Sequence, residues 1–334
     1  MSEPAAPLHA VPSAGRDGHV ADVPDTSEMD LKQKQAAYHD WESASYEEKF
    51  SISYDQRCID YALGRLHKVV PPGERFGRVL EVGAGTGFFT INLALGGALD
   101  GAELEATDIS TGMLEVCARN GEQHGLTIGT TAGDAEDLPY PDDHFDLVIG
   151  HAFIHHLPVP GKAIQEMYRV LAPGGRLVIA GEPTHYGDRI SHLVKHNTWR
   201  AFRAVTTLPG LQGLRKDDPH AASASDAREA VLAGLEDEVD LHTFRPDDVE
   251  HMARLAGFAD VEVVTEELTA NWFGWSVRTL EASVRPGLMG ERWAWFAFRN
   301  YLRFTALDEA VLRRVVPRGL FYNLILHGRK PGSR

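Results

Sequence analysis

Gly83, Gly85 and Gly87 stand in the run Val79-Leu80-Glu81-Val82-Gly83-Ala84-Gly85-Thr86-Gly87-Phe88, an apolar segment that passes through a glycine-rich turn into a helix-like one. Glycines are needed where a Cβ would keep the backbone from approaching a flat, crowded ligand. The spacing is GxGxG with Glu81 two residues before the first glycine, whereas turns that cradle a dinucleotide pyrophosphate read GxGxxG. Twenty-one residues after Gly87 comes Asp108, which closes Leu104-Glu105-Ala106-Thr107-Asp108 and precedes Ile109. An acidic side chain at the end of a second strand can accept both hydroxyls of a ribose.

Glu81 beside the turn suits a ligand with a cationic centre and no phosphate, and S-adenosylmethionine, with its amino acid end and sulfonium, meets both conditions. Other residues here could carry chemistry. His151, His155 and His156 lie close together, and Glu182 ends the next apolar run. An imidazole with an ordinary pKa near 6.5 can take a proton from a phenol or hydroxyl, so His151 and Glu182 are rival candidates for a general base. Two aromatic runs follow, Trp272-Phe273-Gly274-Trp275 and Arg292 to Phe304. At helical spacing Trp295, Phe298 and Leu302 share one face, and Arg292, Arg299 and Arg303 another. Such a stripe is either a packed seam, including one between two copies of the chain, or an acceptor cavity lined by Trp272, Trp275, Trp295 and Phe298 with Arg299 at its mouth.

The elements that must position these residues alternate. Strand-like Arg78–Val82, Leu104–Asp108, Thr127–Thr131, Phe145–Gly150 and Arg176–Ala180 are separated by helix-like stretches from Phe88, Thr111 and Gly161. This predicts an α/β fold with a doubly wound, mostly parallel sheet. Residues 1–29 carry Pro, Ala, Gly and Asp without an apolar period and read as a disordered tail. Residues 30–72 read as N-terminal helices, 73–183 as the ligand-binding core and 184–244 as a helical insertion. Residues 245–270 form a helix from Pro246 to Gly257 and the strand Val261–Val264. An aromatic-rich helical insertion over 271–318 and a final strand with tail over 319–334, Leu320–Leu326 at its centre, complete the chain.

Three further runs sharpen the reading: Gly133-Asp134-Ala135-Glu136-Asp137-Leu138-Pro139, the strand Phe145–Gly150, and Val170-Leu171-Ala172-Pro173-Gly174-Gly175-Arg176-Leu177. Together with the glycine turn and Asp108, in order and spacing, they resemble class I S-adenosylmethionine-dependent methyltransferases of the group that includes ubiquinone and menaquinone biosynthesis enzymes. The resemblance covers residues 78–183, the helix ending at Gly257 and the last two strands. It implies a Rossmann-like seven-stranded sheet with the last strand antiparallel, helical cap insertions, and S-adenosylmethionine as cofactor. Position by position it implies that Gly83 to Gly87 lie against the methionine and ribose portions and that Asp108 holds the ribose. Asp134 and Ala135 would flank the adenine, and His151 would sit near the methionine end, where the family often has a small polar residue. A histidine pair before Leu157-Pro158 is ordinary in such enzymes that use no metal, so no metal is expected at His151, His155, His156 and Glu182.

Composition agrees with a small-molecule enzyme. The chain has 334 residues, 43% of them hydrophobic and 24% charged, with no apolar run of membrane-spanning length and no secretory leader pattern, so a cytoplasmic location is expected. Cys58 and Cys117 have no metal or redox spacing. A formal charge of −15 argues against nucleic acid or an anionic membrane as the main partner. Residues 277–334 depart from this balance, with eleven Lys and Arg against four Asp and Glu. The reading that unites these features is methyl transfer from S-adenosylmethionine to oxygen or carbon of a hydrophobic small molecule, neutral or anionic. A nicotinamide-dependent oxidoreductase, disfavoured by GxGxG and Glu81, and a cofactor-binding protein without turnover are the alternatives.

Overall fold

The computed structural model describes residues 29–50, 52–215, 241–285 and 288–332. The expected disordered tail thus lies outside the described residues except for Met29, as do residues 216–240 of the first insertion. The chain opens with helices α1 (Leu31–Glu42), α2 (Tyr46–Phe50) and α3 (Gln56–Leu66). The core then alternates β1 (Arg78–Val82), α4 (Phe88–Leu95), β2 (Glu103–Asp108), α5 (Thr111–Gln123), β3 (Ile128–Ala132), β4 (Phe145–His151), α6 (Pro160–Val170) and β5 (Leu171–Pro183). Helix α7 (His185–Val205) follows, then α8 (Pro246–Ala256), β6 (Ala259–Glu266), α9 (Thr269–Ser283), α10 (Glu291–Leu307) and β7 (Asn323–Arg329).

The seven strands form one sheet in the order β3-β2-β1-β4-β5-β7-β6. All pairings are parallel except those of β7, which runs antiparallel to β5 and β6. Both faces are covered, which is why the central strands read as continuous apolar runs rather than alternating ones. Leu80, Val82, Val148, Leu177 and Ile179 face α6 and α8, while Val79, Leu147, Ile149, Val178 and Ala180 face α3 and α4.

Local chemistry sets most helix boundaries. Asp30 accepts from the backbone N–H of Gln33 and the Gln33 side chain answers in a capping box, so α1 begins at Leu31. Ser110 caps α5 through Met113 N–H. Pro246 opens α8, and Gly257, at φ 107°, ends it. Asp308 caps α9 from outside that helix, accepting from the backbone N–H groups of Leu268, Thr269 and Ala270.

Two strands differ from expectation. β7 starts at Asn323, not Leu320, because residues 318–320 form a 3-10 turn that feeds Phe321 into the core. β5 extends well beyond Arg176–Ala180 and carries a register shift between Ala180 and Glu182. Gly181 sits in that irregularity at φ 78°, and a Cβ there would stand 2.8 Å from His151 Nε2. No described helix is long and apolar enough to cross a membrane.

Candidate functional site

The three glycines of the turn have different duties. All take positive φ, at 66°, 51° and 85° for Gly83, Gly85 and Gly87, a region that side-chain-bearing residues rarely adopt. A Cβ on Gly83 would lie 2.4 Å from the Phe153 ring, and one on Gly87 would lie 2.8 Å from Cys117 Sγ. These two are therefore demanded by packing inside the protein, and Gly87 does not line the cavity described below. A Cβ on Gly85 would meet nothing within 4 Å and would project into open space, where a ligand would otherwise approach the backbone.

That space is a cavity of about 1170 Å³ at the C-terminal ends of β1, β2 and β4. Glu81, Gly83, Ala84, Gly85, Asp108, Ile109, Asp134, Ala135 and His151 all line it, so the structure gathers nine of the ten residues expected at the cofactor. Asp108 accepts from Gly85 N–H at 2.9 Å and from Ser110 N–H at 3.0 Å, and thereby ties the glycine turn to the end of β2. Glu81 is buried beneath the turn and accepts from Thr90 N–H at 3.0 Å. Burial, with the nearby charge of Asp108, pushes its pKa up to about 7.

The roof over this end is a feature that sequence motifs did not announce. Helix α1 lays Lys32 across the β3–β4 connection, with Nζ 2.6 Å from Asp134 Oδ2 and 2.9 Å from Glu136 Oε2. Asp40 accepts from Ser110 Oγ at 2.6 Å and from Gly112 N–H at 2.8 Å. Tyr38, Glu42 and Tyr46 complete the inner surface. The sequence marked residues 30–72 as helical, but nothing in it says what these helices cover.

The two candidate bases occupy unlike positions. Glu182 is fully buried and outside the cavity lining. It accepts from the backbone N–H groups of Phe153, Ile154 and His155 at 2.7, 3.0 and 3.2 Å, and its Oε2 lies 2.8 Å from His155 Nδ1. This corrects the expectation of a general base: the carboxylate is consumed in building the turn after β4. That turn in turn seats the Phe153 ring against Gly83. His151 does face the cavity, boxed by the rings of Tyr61, Phe88 and Phe89 at centroid distances of 5.9, 5.3 and 5.3 Å. Burial, with the charges of Arg65 and His155, pushes its pKa down to about 3, so the ring is neutral at physiological pH. Among the described residues no group of three or more His, Cys, Asp or Glu side chains is arranged to hold a metal ion.

The other end of the cavity is ionic at its base and aromatic on its wall. Buried Arg65 places a guanidinium nitrogen 2.7 Å from carboxylate oxygens of both Glu266 and Glu267, and its plane lies 3.3 Å over the Tyr61 ring. Glu267, strained at φ 65°, also accepts from Tyr301 Oη at 2.7 Å and Asn323 Nδ2 at 2.9 Å. Burial alone would raise its pKa; the Arg65 charge and the hydrogen bonds from Tyr301 and Arg65 hold it below the usual carboxylate range. Lys68 pairs with Glu266 and Glu309. From α10, Phe298, Tyr301, Leu302 and Thr305 form the wall.

Of the five expected acceptor residues, then, only Phe298 lines the cavity. Trp295 is 45% exposed, with Arg299 5.7 Å above its ring, and both face away from the cavity. Trp275 points from α9 to α7, its ring centroid 3.4 Å from Lys195 Nζ, and both it and Trp272 lie outside the lining. The difference lies along the helix: Trp295 stands one turn before Phe298, its ring 6.3 Å from that of Phe298, and the lining begins only at Phe298.

Residues 80–179 match the family described as "Methyltransferase domain". The demethylmenaquinone methyltransferase of Streptomyces avermitilis is 30% identical over 184 residues, a stretch covering 55% of this chain and 69% of that protein. The demethylmenaquinone methyltransferase of Thermus thermophilus is 35% identical over 132 residues, covering 40% of this chain and 55% of that one. The chain thus spans only about half the length of the Thermus relative. Phosphoethanolamine N-methyltransferase 2 of Haemonchus contortus, solved with S-adenosyl-L-methionine, shares the fold at a TM-score of 0.54 and 16% identity, covering 91% of this chain and 61% of its own. The chain belongs to the class I S-adenosylmethionine-dependent methyltransferases.

Proposed function

We propose that this chain transfers the methyl group of S-adenosylmethionine to carbon or oxygen of a hydrophobic, ring-hydroxylated small molecule of the quinol type. The observation that carries the reading is one cavity with two unlike ends. Its volume of about 1170 Å³ exceeds the roughly 300–1,000 Å³ of ordinary single-ligand pockets. One end has the open turn at Gly85 with Asp108 and Asp134, and the other has the wall of Phe298, Tyr301 and Leu302. The relatives named for demethylmenaquinone support the acceptor class.

The residues present fit the cofactor, since the space a Cβ on Gly85 would fill is open and carboxylates stand where ribose hydroxyls and a cationic centre need them. In this reading Asp108 holds the ribose, Asp134 and Ala135 flank the adenine, and Glu81 faces the charged end. When bound, the cofactor supplies an electrophilic methyl group on a cationic sulfur. The protein's part is to align the acceptor and exclude water. His151 serves as a neutral polar contact beside the reacting groups. Burial holds its pKa well below the usual imidazole value, which favours a neutral contact over a proton acceptor.

The test is transfer of label from methyl-labelled S-adenosylmethionine to a demethylated naphthoquinol, with the oxidised quinone alongside. The reduced ring is electron-rich and is expected to accept the label, and the quinone is not. Cofactor binding without transfer to any hydroxylated ring would leave a binding protein in its place.

A further inference from the structure

We propose that Tyr301 is a specificity-determining residue that seats an acceptor ring only when the oxygen placed against it carries a proton: a hydroxyl is taken and a carbonyl refused. The inference rests on the function proposed above, in that the acceptor occupies the end of the cavity walled by α10.

A phenolic oxygen can donate one hydrogen bond and accept others. The donor of Tyr301 is already committed, since Oη donates to Glu267 Oε1 at 2.7 Å. Burial disfavours a charge on Glu267, but Arg65 and the hydrogen bonds from Tyr301 and Arg65 hold its pKa below the usual carboxylate range. The group is therefore ionised at neutral pH, and an ionised carboxylate only accepts. Hydrogen bonds to such a charge are roughly twice as strong as neutral ones, so a ligand that turned the Tyr301 proton outward would forfeit more than it gained. Tyr301 keeps that proton as well: burial, with the charge of Glu267, pushes its pKa well above the ordinary value. Nor is Glu267 free to move. Arg65 of α3 donates to Oε1 at 2.7 Å and Asn323 of β7 donates to Oε2 at 2.9 Å. Three elements thus hold the carboxylate on a residue at φ 65°, a strained conformation that persists where the surroundings over-determine it, commonly at binding sites.

Toward a ligand, then, Tyr301 offers lone pairs alone. Its Oη has no second hydrogen-bond partner among the described residues, and Tyr301 and Glu267 both line the cavity. Beside it stands the opposite capacity. Arg65, 4% exposed, also lines the cavity, and its Nε is buried without a hydrogen-bond partner. The hydrogen bonds of Arg65 and Tyr301 converge on one oxygen of Glu267, so the unused donor and the unused acceptor are neighbours. A ring hydroxyl answers both, accepting from Arg65 and donating to Tyr301. A quinone carbonyl answers Arg65 alone and sets its lone pairs against those of Tyr301, with the Glu267 charge behind them. Sites that hydrogen-bond a substrate hydroxyl reject the analogue lacking it far more strongly than apolar pockets reject a missing methylene. Selection therefore precedes chemistry: the oxidised ring is turned away at binding rather than bound and left unreacted.

Binding of tetramethyl-1,4-hydroquinone and of the corresponding quinone to the full chain is to be measured anaerobically by calorimetry, with S-adenosylhomocysteine present. With no methyl group on the cofactor and every ring carbon substituted, these probes report binding alone. The parent chain is expected to bind the hydroquinone about tenfold tighter than the quinone. Tyr301→Phe keeps the ring and removes the hydroxyl, and should bring the two affinities to within about twofold of each other. A merely structural role would weaken both forms alike, which is the result expected of Phe298→Ala. Equal behaviour of the two forms toward the parent chain, whether both bind or neither does, overturns the proposal, and that comparison needs no variant. So does undiminished discrimination in folded Tyr301→Phe. Label transfer from S-adenosylmethionine on the same preparations reads the methyltransferase proposal separately: discrimination without transfer leaves Tyr301 its role, and transfer without discrimination removes it.

Discussion

Asp108 and Glu81 make different kinds of statement about a bound cofactor. Asp108 holds Gly85 N–H and would hold the ribose, so Asp108→Ala should weaken S-adenosylmethionine binding by about 1.5–3 kcal/mol, the range for hydrogen bonds to a charged group. An affinity within twofold of the parent would remove Asp108 from the site. Glu81 has a folded pKa near 7, above its ordinary value of 4.5. Its contribution to stability is therefore full below about pH 4.5 and is lost as pH rises through about 7, because the carboxylate must then ionise while buried. A cationic ligand reverses that preference. Binding should accordingly release a proton below about pH 7 and tighten by up to tenfold per pH unit until Glu81 is ionised. Calorimetry in buffers of different ionisation enthalpy measures the proton, and Glu81→Gln should abolish its release. A pH-independent affinity between 5.5 and 8 in the parent chain would show that no cationic group approaches Glu81.

At the scale of elements, Glu182 and α10 make the sharpest predictions. Glu182→Ala strips the acceptor from three backbone N–H groups in the turn that seats Phe153, and should cost about 3 kcal/mol or more in denaturant unfolding. A loss below about 1 kcal/mol would mean that the turn stands without it. Phe298→Ala should raise the acceptor KM and leave cofactor affinity alone, whereas Trp295→Ala, outside the cavity, should alter neither; the reverse pattern would place the acceptor on the outer face of α10. How much of this was legible in the sequence follows from the range of each interaction. The β1 strand, the turn and the start of α4 were readable because glycines and an apolar run act within ten residues. Pro246 and Gly257 marked α8 for the same reason. Arg65 and Glu267 are 202 residues apart, and nothing local in Gln56–Leu66 marks its arginine as the base of a cavity. The aromatic stripe of α10 was visible, but not which of its turns meets the cavity, since that is fixed by distant contacts such as Tyr301 with Glu267.

Over the whole molecule, one seven-stranded sheet gathers the site residues at the C-terminal edge of its parallel strands. In the proposed function the sheet edge seats the cofactor, and Phe298, Tyr301 and Leu302 wall the place of the acceptor. The same sheet, with the glycine turn at its C-terminal edge, could in principle serve a nicotinamide cofactor, and the identity of the first ligand is therefore the claim on which the rest depends. Calorimetric titration of the full chain with S-adenosylmethionine, in parallel with NAD, tests it most directly. Saturable one-to-one binding of S-adenosylmethionine, no heat with NAD, and loss of the signal in Gly85→Val with circular dichroism near that of the parent are predicted. Binding of NAD with S-adenosylmethionine silent, or an unaltered S-adenosylmethionine affinity in folded Gly85→Val, would contradict the account.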